Sequence, residues 1–181
     1  AYGIFIDGKT TVDINENTQI VATSNTDGKA YSASVTEGSL SFNGSNNSFL
    51  GDFLLTNKAD VTFADGVSEI DGNISSEGES NINLVNSTIN LVGSHTITAE
   101  NLNSNNGSII LNTVGVDTVS IDSLVGDQLN VIASAGLGNN FSSVEEAAEA
   151  IQNSLNIGNS DQTETELSFS GEESDVLDWN P

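Results

Sequence analysis

His95 is the only histidine in the chain, and a search for catalytic chemistry therefore starts there. A hydrolase triad needs a histidine beside an activated nucleophile, and the GxSxG turn that exposes a serine nucleophile does not occur in this sequence. A single histidine also excludes metal sites that are built from several histidines. We therefore predict that His95 has a structural role and that it is not a catalytic residue.

The stretch DINEN contains residue types that could bind calcium through oxygen atoms. It places Asp13, Asn15 and Asn17 at the alternating positions of a calcium-binding loop. Such a loop requires glycine at its sixth position and glutamate at its twelfth, whereas this chain has Thr18 and Ser24 there. The GGxGxD motif of repetitive calcium-binding rolls is also missing. The sequence therefore predicts no metal site, and no other cofactor is implied.

Carboxylates are the third group that could do chemistry, because a pair of them at the correct separation cuts glycosidic bonds. Acidic residues are concentrated in the middle of the chain, at Asp52, Asp60, Asp65, Glu69, Asp71, Glu77 and Glu79. The chain has no arginine and no cluster of lysines that could bind an acidic sugar. A soluble repeat protein needs a charged exterior in any case. We therefore interpret these carboxylates as solvated surface groups and assign no catalytic residue.

Glycine recurs every 21 residues in the middle of the chain, at Gly51, Gly72 and Gly93. Apolar residues follow the same interval in further columns. These columns are Leu40, Val61 and Ile82; Phe42, Phe63 and Leu84; Phe49, Ile70 and Leu91; and Phe53 and Ile74, followed by His95. Self-similarity at this period predicts stacked repeats, in which each glycine lies at a tight turn or at a close approach between coils.

Each repeat alternates between polar and apolar residues, as in DVTF and NINL, which is the two-residue period of a β-strand. Clusters of Asn, Ser, Gly and Asp separate these runs and are typical of turns. The LxxLxLxxN pattern of leucine-rich repeats is missing. The sequence thus predicts an all-β fold, a right-handed parallel β-helix (solenoid) with coils of about 21 residues.

The pattern predicts three regions along the chain. Residues 1–38 carry strand signals in a looser frame, at 2–6, 11–14, 19–22 and 30–35. Residues 39–140 hold the regular coils, with an apparent insertion around LNSNNGS. We predict β-helix coils over residues 1–140. Residues 141–181 would add a capping helix and a terminal strand or linker within the same domain.

One helix signature occurs, in FSSVEEAAEAIQNSLNIG. Ser142 and Glu145 match a capping box, and apolar residues recur at helical spacing after them. The residues on this apolar face are Val144, Ala148, Ile151 and Leu155. The end of a β-helix exposes unpaired strand edges and apolar core. We therefore predict one short helix, from about 142 to 155, that covers an open part of the solenoid.

The charge of the chain excludes two classes of partner. The 181 residues include 26 acidic residues against three lysines, which gives a formal net charge of −23 at pH 7. Such a surface repels the phosphates of nucleic acids and of anionic membranes. No apolar run approaches the roughly 18 residues of a membrane-spanning helix. We therefore predict no nucleic-acid partner and no membrane span within this chain.

The chain has short alternating strands divided by Asn, Ser, Gly and Asp, almost no Cys, Pro or Arg, and an acidic charge. In these features it resembles the passenger domains of bacterial autotransporters, the pertactin-like β-helix class. The regular coils are followed by the segment DSLVGDQLNVIASAGLGNNFSSVEEAAEAIQNSLNIGN and then by a return to strand. This order resembles the C-terminal part of such a passenger. The resemblance implies export through the outer membrane of a Gram-negative bacterium and an extracellular or cell-surface location. The only membrane contact would be through a C-terminal barrel outside this chain.

The resemblance also implies a function. We expect a surface-displayed or secreted stalk, structural and adhesive, that is not an enzyme and that acts in virulence as an adhesin. Its partner would be a host glycan or protein, or a second copy of the chain. The alternative is a fragment of a carbohydrate-active β-helix enzyme, a polysaccharide lyase or hydrolase. A deep groove lined by acids would favour that alternative.

Overall fold

The computed structural model describes residues 1–24, 28–112, 117–133, 144–160 and 166–171. Most of these residues lie in short parallel strands that form a β-solenoid of about five turns with a spacing of about 21 residues. One short helix lies near the C-terminus of the described part of the chain. The predicted fold class, an all-β solenoid with coils of about 21 residues, is confirmed.

The strands are numbered here in chain order. They are β1 (Tyr2–Asp7), β2 (Thr11–Ile14), β3 (Gln19–Val21), β4 (Tyr31–Thr36), β5 (Ser39–Asn43), β6 (Asn47–Leu50), β7 (Asp52–Thr56), β8 (Asp60–Ala64), β9 (Val67–Asp71), β10 (Ile74–Ser76), β11 (Asn81–Val85), β12 (Thr88–Leu91), β13 (Thr96–Asn105), β14 (Gly107–Leu111), β15 (Thr118–Gly126), β16 (Gln128–Ala133), β17 (Leu155–Ser160) and β18 (Glu166–Gly171). Helix α1 (Val144–Asn153) lies between β16 and β17.

Three ladders of parallel strands run the length of the solenoid, and each ladder forms one face. Along the chain, successive strands belong to face 1, face 2 and face 3 in that order. Face 1 contains β1, β4, β7 and β10, and face 2 contains β2, β5, β8 and β11. The long strands β13 and β15 each cross from face 1 to face 2. Face 3 contains β3, β6, β9, β12, β14, β16 and β18. One strand from each face makes one rung, and each rung pairs with the rung before and after it.

The interior columns follow the predicted frame through the first three regular rungs. Leu40 pairs with Val61 and Val61 with Ile82, and all three side chains are buried. The column that begins with Phe42 and the column that begins with Phe49 are also in register and buried, as predicted. Stacking of this kind keeps the apolar face of each rung out of water, which stabilises the solenoid by about 1.5–3 kcal/mol per large side chain.

Residues with positive φ make the corners between the faces. At the corner between faces 2 and 3, Asp65, Asn86 and Asn106 have φ values of 55°, 47° and 56° on successive rungs. Asn and Asp tolerate this conformation better than other side chains, which explains why they are so frequent here. At the next corner a Cβ on Gly72 would collide with the backbone carbonyl of Gly51. The predicted role of the recurring glycines is therefore confirmed there.

The fourth column departs from the sequence-based frame. Ile74 pairs with Phe53 as predicted, but its partner on the next rung is Ile97, and His95 does not fill this column. The turn between β12 and β13 is longer than the two preceding turns at this corner, between β6 and β7 and between β9 and β10, which moves the buried position onward. Leu91 pairs with Leu111, and the strands on both sides of LNSNNGS keep one register. The predicted insertion at LNSNNGS is therefore wrong: relative to the 21-residue frame, the chain gains two residues in the turn that contains His95 and loses three between Ile97 and Leu102.

Helix α1 ends earlier than the sequence predicts. It spans Val144–Asn153, and Leu155 is the first residue of β17, where it pairs with Val119. The predicted start, at Ser142, lies outside the described residues. Ile151 is fully buried in the hydrophobic core, and α1 contacts β17. The ladders continue beyond the helix through β17 and β18, so the predicted return to strand is confirmed.

Candidate functional site

The central carboxylates are distributed around the solenoid, and two of them, Glu69 and Asp71, line one pocket of about 250 Å³ on face 3. Asp52 lies on face 1, Asp60 on face 2 and Glu69 on face 3. Asp71 is the last residue of β9 on face 3, and the corners between faces carry Asp65, Glu77 and Glu79. Residues on neighbouring rungs bind two of the strand carboxylates. Asn73 donates from its backbone N–H and its side-chain amide to Asp52 Oδ1, at 2.8 and 3.2 Å, and the side-chain amide of Asn81 donates to Asp60 Oδ1 at 2.8 Å. These carboxylates therefore link successive rungs.

His95 lies in the turn before β13. Its Nε2 is 2.8 Å from Asp71 Oδ1, and its backbone N–H donates to Oδ1 of the fully buried Asp117 at 2.8 Å. Both partners lie on neighbouring rungs, so the turn is bound to the rung before it and to the rung after it. The position predicted for His95 in the interior column is wrong, and its structural role stays a prediction.

The residues of the DINEN stretch build a corner of the first rung. Asn15 accepts a hydrogen bond from Thr18 Oγ1 through its backbone carbonyl, at 2.8 Å. Asn17 has a φ of 62°, and its Oδ1 accepts from Asn46 Nδ2 at 3.1 Å. The amide groups thus join one rung to the next. Over the ranges described, no group of three His, Asp or Glu residues could hold a metal ion.

A charged pocket of about 800 Å³ lies on the corner between faces 1 and 2. Its lining residues are Lys9, Glu37, Asn57, Lys58, Gly78 and Glu79. Lys58 Nζ lies 2.9 Å from Glu79 Oε2 on the next rung. The hydrogen bond and the positive charge of Lys58 lower the pKa of Glu79, and Glu79 raises the pKa of Lys58 for the same two reasons. The pocket therefore contains two of the three lysines, and Lys58 is paired with Glu79.

An exposed aromatic cluster occupies the first two rungs of face 1. Tyr2 pairs with Tyr31 in the ladder, and their rings stack with centroids 5.5 Å apart and planes 17° apart. The ring of Phe5 lies 5.2 Å from that of Tyr2, tilted by 57°. Tyr2 is 57% exposed and Phe5 is 59% exposed. We call these three residues the aromatic cluster. Sequence reasoning missed it, because the first coil is longer than 21 residues.

A row of polar side chains continues from the aromatic cluster along face 1. Tyr31 is followed on successive rungs by Asp52, Asn73 and Thr96, in register. Asn73 Oδ1 accepts from the backbone N–H of Thr96 at 2.9 Å and from its hydroxyl at 3.2 Å. Hydrogen bonds therefore join Asp52, Asn73 and Thr96 on three successive rungs.

Comparisons of the chain with protein-family models, curated proteins and solved structures return no match. In the part of the chain that the structure covers, no helix has the length and apolar character needed to cross a bilayer.

Proposed function

We propose that this chain is part of a structural and adhesive β-solenoid stalk that is displayed on a bacterial surface or secreted. The observation that carries the proposal is the continuity of hydrogen-bonded side chains along the outside of the ladders. Asn103 donates to Asn83 at 2.8 Å and Asn83 donates to Thr62 at 3.3 Å, across three successive rungs of face 2. Such rows present long, ordered polar surfaces to a partner.

The architecture suits a stalk for a physical reason. Each rung is held mainly by its two neighbours, so a solenoid grows in length without a larger core. Extension away from a cell surface needs that property. The acidic charge of −23 supports solubility and opposes association with other acidic surfaces.

We propose that the stalk is the passenger of an autotransporter. Support comes from the composition of the sequence, which resembles that class, and from the solenoid, which is compatible with a β-helix passenger. A host glycan or protein would then be the partner. The carbohydrate-active enzyme is a weaker proposal, because Asp52, Asp60 and Glu69 lie on three different faces, and the pocket that holds Glu69 and Asp71 has a volume of only about 250 Å³.

The location is tested on bacteria that produce the whole protein. Intact cells are treated with external protease and probed with an antibody raised against this chain, with a cytoplasmic protein as the control. We expect loss of the antibody signal from intact cells, or signal in the culture medium, while the control stays protected. A chain that is cleaved only after cell lysis would refute both surface display and secretion.

Adhesion is tested separately from location. Beads coated with the purified chain should bind host cells more than beads coated with an unrelated acidic protein. Equal binding by both kinds of bead would remove the adhesive part of the proposal. Release of reducing ends from uronans or mucins by the purified chain would instead favour the enzyme.

A further inference from the structure

We propose that the pocket on face 3 binds an arginine or lysine side chain of a partner protein. The residues that line it include Ser48, Leu50, Glu69, Asp71 and Val92, and we call it the face 3 groove. The proposal gives the chemistry of the partner of the adhesive stalk, and it rests on the proposed function for its biological setting. The groove combines exposed apolar side chains with carboxylates, which is the combination that suits a long basic side chain.

The groove lies within the ladder of face 3. Glu69 in β9 pairs with β6 on the rung before it and with β12 on the rung after it. Leu50 pairs with Val21 and with Asp71 in the same way. Each has a neighbouring strand on both sides, and Leu50 is nevertheless 39% exposed. Its exposure is therefore a property of the outer surface of face 3 and does not arise at an end of the ladder.

The apolar part of the groove suits the methylene stem of a basic side chain. Leu50 and Val92 lie on the rungs before and after Asp71, and Val92 is 38% exposed. Arginine and lysine pack their stems on apolar surface of this kind while their charged ends stay at polar groups. The volume of the groove is about 250 Å³. Sites for small molecules have volumes of roughly 300–1,000 Å³, so the groove is suited to a single side chain.

Glu69 and Asp71 place negative charge beside these apolar side chains. They are two residues apart in β9, so both point outward, and their Cα atoms are about 6.6 Å apart by the rise of a parallel strand. One cationic group between them can bind both carboxylates. His95 Nε2 lies 2.8 Å from Asp71 Oδ1. A carboxylate accepts through two oxygens, so Asp71 Oδ2 remains available to a ligand.

The Glu69 carboxylate is the main anchor of the proposed site. Within the described ranges of the chain, no lysine, histidine or hydrogen-bond donor is bound to it. A cation that enters the groove therefore displaces no existing partner of Glu69. It also offsets the repulsion between the charges of Glu69 and Asp71.

Charge decides between the possible occupants of the groove. The whole chain carries −23, which attracts basic partners and repels acidic ones. A nucleic acid or an anionic lipid would bring phosphates toward Glu69 and Asp71. A second copy of the chain would bring another charge of −23, and it offers only three lysines, one of which is bound to Glu79. A basic segment of a different protein avoids both kinds of repulsion.

The experiment titrates the purified chain with a capped heptapeptide that has one central arginine between two valines. The methyl groups of leucine and valine are isotope-labelled and observed by NMR at physiological ionic strength. We expect saturable shifts of the Leu50 and Val92 methyl resonances, and no comparable shift of Val125 on face 2. The matched peptide with lysine should shift the same two resonances. Peptides with citrulline or glutamate at the centre should bind at least about tenfold more weakly, because they lack the cation.

Variants locate the site. Glu69→Gln removes one charge, keeps the shape of the side chain and should weaken binding by about tenfold. Glu77→Gln removes the same charge at the corner between faces 1 and 2 and should leave affinity unchanged, because salt screens distant charges. Leu50→Ala should weaken binding by at least about fourfold, the effect of one buried methylene. Val125→Ala is its control on face 2.

Circular dichroism confirms that each variant is folded, and the four peptides test the proposal on the parent chain if a variant is not. Three results would overturn the proposal: the arginine peptide causes no saturable shift at Leu50 and Val92, the citrulline or glutamate peptide binds equally well, or Glu69→Gln and Glu77→Gln weaken binding equally. The third result would mean that only the net charge attracts the peptide.

Methyl resonances of Leu50 and Val92 that shift with chain concentration in the absence of peptide would assign the groove to self-association and would also overturn the proposal. These measurements use purified protein, whereas protease treatment of intact cells tests location and coated beads test adhesion. Failure of the assigned partner chemistry is therefore distinguishable from failure of the stalk proposal.

Discussion

Lys58 and Glu79 occupy the same position on successive rungs, and Lys58 Nζ lies 2.9 Å from Glu79 Oε2. Both residues have positive φ, 65° and 63°, so each corner directs its side chain outward in the same way. A corner of this kind places one charge above another at the spacing of the rungs. The pair therefore follows from the repeat geometry, although neither side chain is buried.

Lys58→Gln should raise the pKa of Glu79 toward its ordinary value of 4.5, because the hydrogen bond and the positive charge of Lys58 are removed. The pair stabilises the folded state above that ordinary value, and this contribution is lost as the pH falls through the lowered pKa of Glu79. NMR titration of the Glu79 carboxyl measures the change. Lys29→Gln, which removes the same charge elsewhere, should leave Glu79 unchanged. An unaltered Glu79 titration in Lys58→Gln would contradict the assignment.

Ile82→Ala should lower the free energy of unfolding by about 2–5 kcal/mol, because it leaves a cavity between the rungs that contain Val61 and Leu102. Val85→Ala changes the same strand on its outward side and should cost less than about 0.5 kcal/mol. Denaturant unfolding of both variants measures the difference. Equal losses would show that the interior column is not the main source of stability.

Ile97→Ala should lower the free energy of unfolding by about 2–5 kcal/mol, because Ile97 fills the buried position after Ile74. His95→Phe removes the contact with Asp71 and should cost about 1 kcal/mol, the usual value of one hydrogen bond. Thermal or denaturant unfolding ranks the two variants. A larger loss for His95→Phe would mean that this turn, and not the column, controls stability here.

Ile151→Asp should lower the melting temperature and raise the binding of a hydrophobic dye. Ile151 is a fully buried side chain of α1, and an unpaired carboxylate there would have to be solvated by opening the contact between the helix and the core. Gln152→Asp places the same carboxylate on the exposed neighbour and should melt like the parent. A parental melting curve for Ile151→Asp would show that α1 is dispensable for the solenoid.

The sequence predicted the rungs well where the coil length was constant. Leu40, Val61 and Ile82 could be aligned by counting, because the backbone repeats at a fixed period and the side chains alternate. The alignment at 21 residues failed at His95, because a longer turn before β13 shifts the buried position along the chain. The local composition of the sequence does not indicate the length of that turn. The buried position then falls to Ile97, the next apolar residue that the strand can direct inward.

The predicted C-terminal end of the helix was wrong for a different reason. Leu155 lies at helical spacing from Ile151, so the pattern alone favours a helix through both residues. In the structure β15 offers an unpaired edge, and Leu155 begins a strand that pairs with it. Hydrogen bonding to a distant strand thus overrides the local helical pattern at Leu155. The sequence around Leu155 does not show which strand will pair with it.

The aromatic cluster was beyond sequence reasoning as well. Tyr2 and Tyr31 pair directly, yet they are separated by more than one regular period, because the link between the first two rungs is long. An alignment at 21 residues never brings them together. Loop length is set by the surface path of the chain, which composition does not specify.

The constant register between β5 and β12 has a consequence for how this molecule can change over generations. Leu40, Val61 and Ile82 are separated by equal lengths of chain and make equivalent contacts. A duplication or deletion of one such unit would preserve every remaining pairing and change the length of the rod by about 4.8 Å, the distance between neighbouring strands. Recombination between similar coding segments can therefore adjust the reach of this protein in equal steps, without a new core having to be selected each time.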